Sequence, residues 1–494
     1  MNTSLNATRR AEELAEVAGG TVVDLLVVGG GVTGTGVALD AAARGLSVCL
    51  LEAHDLAFGT SRWSSKLVHG GLRYLAHGDF GLARESAVER GILMTRTAPH
   101  LVRALPQLVP LHDGDRGNVV MTGLRAGDVL RRTARTPGEL LPPPRRIPAA
   151  EALALVPGLR RTGLTGGLLS YDGQLTDDAR LVIALARTAA GLGARILTRA
   201  KVTTLTGQGA EAVDTETGTP FEVHARAVIN ATGVWAGTLV DQIHLRPSRG
   251  SHLVLNASTT GITNTALTVP VPGERNRYAL VLPQQDDRIY VGLTDEPVHG
   301  PIPDVPVVPQ SDVDFLLNVA SSVLERKLGP HDVQGSFAGL RPLLAGAGEK
   351  SADLSRKHAV LTSKDGVLTV VGGKLTTYRK MAADAVTAAA QQNNLTAGPC
   401  RTNNLPLVGA TGPTNNAPQR LKAKYGTEAA TITAMNRPEQ ISGNITAAEI
   451  LWASQHEGAL TAADILDRRT RIGLVPTDRQ AAEASITALL AERT

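Results

Sequence analysis

The spacing Gly29-x-Gly31-x-x-Gly34, with the acid Glu52 about 20 residues further on, is the first pattern in the chain that implies chemistry. An apolar run, Leu25 to Val28, enters the glycines. A small-residue stretch follows and closes at Gly45, and a second apolar run, Leu46 to Leu51, ends on Glu52. Glycines permit a tight turn and let backbone approach a pyrophosphate, which the positive end of a helix then favours. A carboxylate at Glu52 is placed to accept adenosine ribose hydroxyls. The glycine spacing alone is weak evidence; with strand, helix, second strand and terminal acid it specifies dinucleotide binding.

Further chemistry-bearing pieces lie along the chain. Residues 61–74, SRWSSKLVHGGLRY, read as neither strand nor clean helix. The apolar run Arg226 to Asn230 enters a small turn, Ala231-Thr232-Gly233. RGSH stands at 249–252, Thr294-Asp295 ends a strand over Arg288 to Leu293, and GLRP stands at 339–342. A strand over Val367 to Val371 leads into Gly372-Gly373-Lys374 and a helix from Leu375. Gly346-x-Gly348 has no strand before it, so one tightly held cofactor is the simpler expectation.

The elements that must position these residues are legible in outline. With 494 residues the chain exceeds one ordinary core, so two or three domains are expected. Helical spacing covers 81–104 and Asp177 to Leu192, and strands dominate 249–294. The basic, proline-rich stretch 125–148 reads as a solvated connector, with a surface facing acidic lipid headgroups as the alternative. Past Cys400 the chain is helical, clearest over Glu449 to His456 and Ala462 to Arg469.

A net charge of +4 and a pI near 9.1 suit anionic substrates or an anionic membrane surface, and are too small to argue for nucleic acid. The two cysteines, Cys49 and Cys400, offer neither a disulfide framework nor a metal site, and a reducing compartment fits. No signal peptide is visible at the N-terminus, and no apolar run is long enough for a spanning helix. Membrane attachment would be peripheral.

The run TSRWSSKLVHGGLRYL, with RGSH, GLRP and GGKLTTYRK (372–380), closely resembles FAD-dependent glycerol-3-phosphate dehydrogenases, members of the D-amino-acid-oxidase-like flavoenzymes. ILWASQHEGALTAADILDRRTRI resembles their C-terminal helical domain. The resemblance implies an α/β fold: a Rossmann-like FAD-binding domain, an inserted mixed-sheet substrate domain and a C-terminal all-α domain. It places the oxidoreductase region at about 20–395, with FAD-binding parts near 20–80, 165–245 and 333–395, substrate-binding parts near 81–164 and 246–332, and the helical domain at 396–494.

The same resemblance assigns roles. Gly29, Gly31, Gly34, Glu52, Thr60, Ser61, Ser65, Lys66, Gly70, Gly71, Ala231, Gly233, Gly372, Gly373, Lys374, Leu375 and Thr376 would hold FAD, noncovalently, with His69 a packed or hydrogen-bonding neighbour. Lys374 and its helix would stabilise negative charge at the flavin pyrimidine edge. Arg73, Tyr74, Thr294 and Arg341 would bind substrate, since an arginine fork matches phosphate oxygens. His252, titrating near neutrality, is the candidate base, and Arg341 could share that task by holding a developing alkoxide. No metal is expected.

The implied activity is oxidation of sn-glycerol 3-phosphate to dihydroxyacetone phosphate by hydride transfer to flavin N5, with electrons passed to a membrane quinone. A glycerol-3-phosphate oxidase using oxygen, or a D-amino-acid or amine oxidase, remains the alternative. A cytoplasmic protein, peripheral on the inner face of the cell membrane, fits this reading, with homodimerisation open. Two positions depart from the family pattern: Arg249, where lysine is usual, and Leu293, where threonine is usual.

Overall fold

The computed structural model describes residues 2–71, 75, 78–274, 277–344, 357–414 and 416–492. Its first sheet is built on five parallel strands in the order Leu368–Val371, Thr219–Asn230, Val22–Val28, Val48–Leu51 and Arg195–Leu197. Leu25, Leu26, Val27, Val48, Cys49 and Leu50 are fully buried. A parallel sheet is covered on both faces, so its strands read as continuous apolar runs rather than alternating ones. Helices Val32–Ala43, Asp178–Gly191 and Tyr378–Gln392 pack together on one face. The first is rich in glycine and alanine because its neighbour sits so close: a Cβ at Gly36 would lie 2.9 Å from the Tyr378 ring.

Because these strands run in parallel, their carboxyl ends emerge along one edge. The turns after Val28, Asn230 and Val371, and Glu52 after Leu51, are therefore neighbours, although they span most of the chain.

The second sheet has ten strands. It is mixed, since Ala266–Pro270 runs parallel to Val102–His112 while the other pairs are antiparallel. Leu67–Val68, Leu164–Leu175 and Gly335–Arg341 belong to this sheet, although their chain positions fall in or at the margin of the segments expected to be FAD-binding. Each leaves the first sheet's layer to pair in the second, so the two sheets are stitched together by shared segments. Past residue 400 the chain is helical, with one small hairpin, Gln440–Ser442 against Ile445–Thr446.

Two local expectations are corrected. The helix expected over 81–104 spans Phe80–Ile92 and continues as one π turn, Leu93–Thr97. Pro99 cannot extend it, and Val102 opens a strand. The stretch 125–148 is not a bare connector: Asn118–Thr133 is a helix and Arg145–Pro148 an edge strand. Arg131 there is buried, bonded to Asp128 at 2.7 Å and to the Thr136 carbonyl at 2.5 Å. Arg132 pairs with Asp128 and Arg145 with Glu151. An N-terminal helix not anticipated from the sequence, Ala7–Ala18, is capped by Asn6 and tied down by Arg9 on the Ala190 carbonyl. Among the described residues no helix is long and apolar enough to cross a membrane.

The C-terminal helices dock through buried ion pairs. Arg180, on Asp178–Gly191, and Glu457, just past helix Ala447–His456, are 4% and 0% exposed and form a two-pronged pair. Truncating one partner of such a pair leaves the other charge buried, at a cost of about 3–5 kcal/mol. Glu457→Ala should therefore lower the thermal unfolding midpoint well beyond the effect of the exposed control Glu439→Ala. Equal shifts would mean the pair carries no weight.

Candidate active site

The first turn is defined by how little space it leaves. A Cβ at Gly34 would lie 1.8 Å from the Gly29 carbonyl oxygen, and one at Gly29 would lie 2.6 Å from that of Ala231. Gly29 also has φ +110°, a conformation that side chains disfavour. Helix Val32–Ala43 starts at Gly31 with no side-chain cap from Gly31 and no acid in its first turn. Its first N–H groups lack intrahelical partners and present partial positive charge. Ser61 Oγ accepts from Val32 N–H at 2.9 Å and stands 3.1 Å from where a Gly31 Cβ would be.

Glu52 closes this end of the site. Its carboxylate accepts from Gly30 N–H at 2.6 Å and from His54 N–H at 2.9 Å, and burial pushes its pKa up against those bonds. A glycine cradle, a helix start with no acid in its first turn and an acid at the next strand end fit the pyrophosphate and ribose of FAD. The second turn, Ala231 to Gly233, packs directly on the first, with Gly233 at φ +61°. In the third, Gly372 and Gly373 have φ +74° and +70°, and Lys374 stands as N-cap of the turn Leu375–Thr377. Thr376 is buried, Leu375 is partly so, and Lys374 Nζ donates to Ser86 Oγ.

The segment 60–71 crosses from the first sheet to the second. Thr60 Oγ1 donates to the Leu340 carbonyl at 2.6 Å, tying it to Gly335–Arg341. Gly70 N–H donates to Asp172, which also holds Arg90 at 2.6 Å. Arg90 fills the space of a Gly70 Cβ. Gly71 has φ +81°, and His69 is half-buried. Lys66 requires correction. Its ammonium is 1% exposed and binds the Asp178 carboxylate at 2.9 Å and the Arg62 and Ser64 carbonyls at 2.9 and 3.2 Å. Burial pulls its pKa down to about 8. It is an internal cation beneath the site, committed to protein partners rather than offered to a cofactor.

His252 lies on the central strand Ser248–Asn256, opposite Gly292 on one neighbouring strand and Phe337 on the other. A Cβ at Gly292 would stand 2.2 Å from the imidazole, which stacks on Phe337 with centroids 4.7 Å apart. Nε2 lies 2.8 Å from Ser65 Oγ, so two sequence-predicted residues 187 positions apart meet. The ring does not titrate near neutrality as expected. Burial, then the charges of Lys66 and Arg341, hold its pKa down to about 3, and Asp178 and the Gly250 carbonyl offset this only in part.

Gly250 and His252, two apart on a strand, share a face. Arg341 lies over Gly250, where a Cβ would be 2.4 Å from Nη2. Its fork is aimed by Ser248 Oγ and Asp295, each 3.2 Å from Nη1, and by the Thr294 carbonyl, 3.1 Å from Nη2. The Thr294 hydroxyl does not line the substrate edge: it donates to Asp312 at 3.1 Å and accepts from Ser251 N–H at 3.0 Å. Arg249 also pairs with Asp312, at 3.1 Å. Arg73, Tyr74 and the Gly346-x-Gly348 fragment lie outside the described residues.

Reading the sequence alone missed Asp172, Asp178 and Asp312, which hold site backbone or side chains from distant elements and carry no local signal. It also missed Gly250 and Gly292, which a glycine inside a strand does signal, because such a residue marks close approach. Among the described residues no group of three or more His, Cys, Asp or Glu side chains is arranged to hold a metal.

Comparison with known proteins agrees with this geometry. Residues 24–379 match the FAD dependent oxidoreductase family, and residues 400–494 match the C-terminal domain of alpha-glycerophosphate oxidase. The chain is 54% identical to glycerol-3-phosphate dehydrogenase 1 of Mycobacterium tuberculosis, over 97% of this chain and 96% of that protein. It is 32% identical to the aerobic glycerol-3-phosphate dehydrogenase of Bacillus subtilis, over 83% of this chain and 75% of that one. The glycerol-3-phosphate dehydrogenase of Bacillus halodurans, solved with FAD, superposes with a TM-score of 0.76 at 26% identity, covering 98% of this chain and 94% of that one. A glycine cradle shaped for FAD and similarity along nearly the whole length lead to one conclusion: the chain belongs to the FAD-dependent glycerol-3-phosphate dehydrogenase family.

Proposed function

We propose that this protein oxidises sn-glycerol 3-phosphate to dihydroxyacetone phosphate, with FAD held noncovalently and electrons delivered to a membrane quinone. The observation that carries the reading is the placement of His252 and Arg341 on neighbouring strands of one sheet, each fixed by partners outside its own strand. The names of the mycobacterial and bacillar relatives support the substrate. Bound FAD supplies a two-electron acceptor at the carboxyl edge of the parallel sheet.

Neutral His252 receives the hydroxyl proton as charge develops on the substrate oxygen. Burial and the charges of Lys66 and Arg341, which lower its pKa, keep the imidazole unprotonated before that step. Arg341, its direction set by Ser248, Asp295 and Thr294, stabilises the negative oxygen, and because it is already aimed it requires little reorganisation. Arg73 and Tyr74 complete the phosphate clamp in this proposal. A quinone acceptor requires a docking surface on the membrane, for which the mild basic balance is the support.

An anaerobic spectrum tests the substrate. Glycerol 3-phosphate should bleach the flavin and D-alanine should not; the reverse would make the protein an amine oxidase. Reduction of a quinone analogue without matching peroxide release supports the dehydrogenase, and stoichiometric peroxide would move it to the oxidases.

Arg341→Ala should lower turnover on the order of 10²-fold or more while FAD stays bound. Unchanged turnover would remove Arg341 from the chemistry. His252 also leaves a signature in stability. Its folded pKa, about 3, lies below the ordinary imidazole value. The unfolded chain therefore binds the extra proton first, and stability present above pH ~6.5 is lost as pH falls towards 3. His252→Asn should flatten that decline in unfolding midpoints, whereas parallel curves would place the imidazole in contact with water.

A further inference from the structure

One five-residue piece of the C-terminal domain, Asp467–Arg471, reaches into the loop that connects Glu52 to Lys66. Asp55, 1% exposed, accepts from Arg468 Nε at 2.5 Å and from both terminal nitrogens of Arg469 at 2.7 and 2.8 Å. Arg471 donates to the Arg62 carbonyl at 2.6 Å, and Asp467 lies 3.5 Å from the buried Arg62 guanidinium. Just upstream, Asp464 binds Arg468 at 2.6 Å and Arg199 at 2.7 Å, while Arg199 N–H donates to the His54 carbonyl. The loop is thus gripped near its start, at His54 and Asp55, and again at Arg62.

The backbone of the gripping segment is shaped for this. In a regular helix consecutive side chains diverge by about 100°. Here Ile465–Arg469 is a π turn, and neighbouring arginines converge on one carboxylate. Arg471 follows in the left-handed region at φ +65°, a conformation a non-glycine residue holds only when its surroundings impose it. The gripped loop needs such help. Beyond the short turn Thr60–Arg62 it has little regular structure, and Ala57 and Lys66 also sit at φ +62° and +59°. Yet it presents Glu52 to Gly30, Ser61 to the helix start and Ser65 to His252.

We infer that Arg468 and Arg469 are positioning residues for FAD, acting through Asp55 to hold the Glu52–Lys66 loop in its cofactor-binding shape, so that the C-terminal domain completes the cofactor site. This rests on the proposed placement of FAD against Gly29–Gly34 and that loop, but not on the identity of the substrate.

The test is titration of apoprotein with FAD, followed by flavin fluorescence, on samples matched by far-ultraviolet circular dichroism. Arg469→Met and Asp55→Asn should each weaken FAD binding at least tenfold, and the double variant should be no weaker than the poorer single one. Arg145→Met, at the exposed Arg145–Glu151 pair, should bind as the parent does. Parent-like affinity in both single variants, or fully additive losses, overturns the inference. Should Arg469→Met not fold, Arg468→Lys keeps the charge but loses the fork. It should weaken binding at least threefold, and parent-like binding there is equally decisive. The placement is checked separately: Gly31→Val retaining parental FAD affinity would refute the cradle itself, whereas a bound flavin that glycerol 3-phosphate fails to bleach would refute only the substrate.

Discussion

The site depends on backbone meeting backbone where parallel strands end. The Gly34 Cα faces the Gly29 carbonyl with no room for a methyl group, and Gly29 in turn lies against the Ala231 carbonyl. That contact sets how near the helix Val32–Ala43 comes to its strand, and so where its positive end points. Only the parallel arrangement brings Gly29, Ala231 and Gly372 together, because each follows a strand that leaves the sheet on the same side. The second sheet carries His252 and, on a neighbouring strand, Arg341.

The second sheet is joined to the first by connecting segments that are hydrogen-bonded to it. Thr60 bonds to Leu340, Ser65 to His252, and Gly70 to Asp172, so the segment between Glu52 and Gly71 is a common wall of both parts. A displacement of that wall would move Ser61 at the glycine turn and Ser65 at His252 together. This coupling gives a physical reason for the number of buried charges near it. Asp55, Asp172, Asp178 and Asp312 are all under a tenth exposed, and each holds a cation. Such pairs contribute little net stability, since desolvation offsets attraction, but they are costly to break and so favour one arrangement.

Burial also decides the protonation states. Withdrawal from water keeps His252 neutral and pulls the Lys66 pKa down to about 8, and the Lys66 charge adds to the shift of His252. In the proposed reaction a neutral imidazole and a fixed guanidinium divide the labour between proton acceptance and charge stabilisation.

Much of this was legible before any coordinates. Gly29-x-Gly31-x-x-Gly34 with Glu52, the strand before Gly372-Gly373 and the helix starting after Asp177 are local patterns, and local backbone sterics and hydrophobic periodicity settle them. His252, Ser65 and Arg341 were recognisable from short motifs, but not their contact. The helix expected as far as residue 104 ended at Thr97 because a strand partner, Leu164–Leu175, claimed Val102 onward. The basic stretch 125–148 looked solvated because Asp128 and Glu151, its partners, are ordinary acids in sequence. Lys66 lay within a cofactor motif, yet its ammonium turned to Asp178, which sits 112 positions away. The amino-acid order by itself determined the turns, the first strand–helix–strand unit and a dinucleotide site, because those follow from interactions among near neighbours. Which charges are buried, which are paired and which imidazole stays neutral was decided only by tertiary structure, because desolvation and ion pairing depend on distances that sequence separation does not encode.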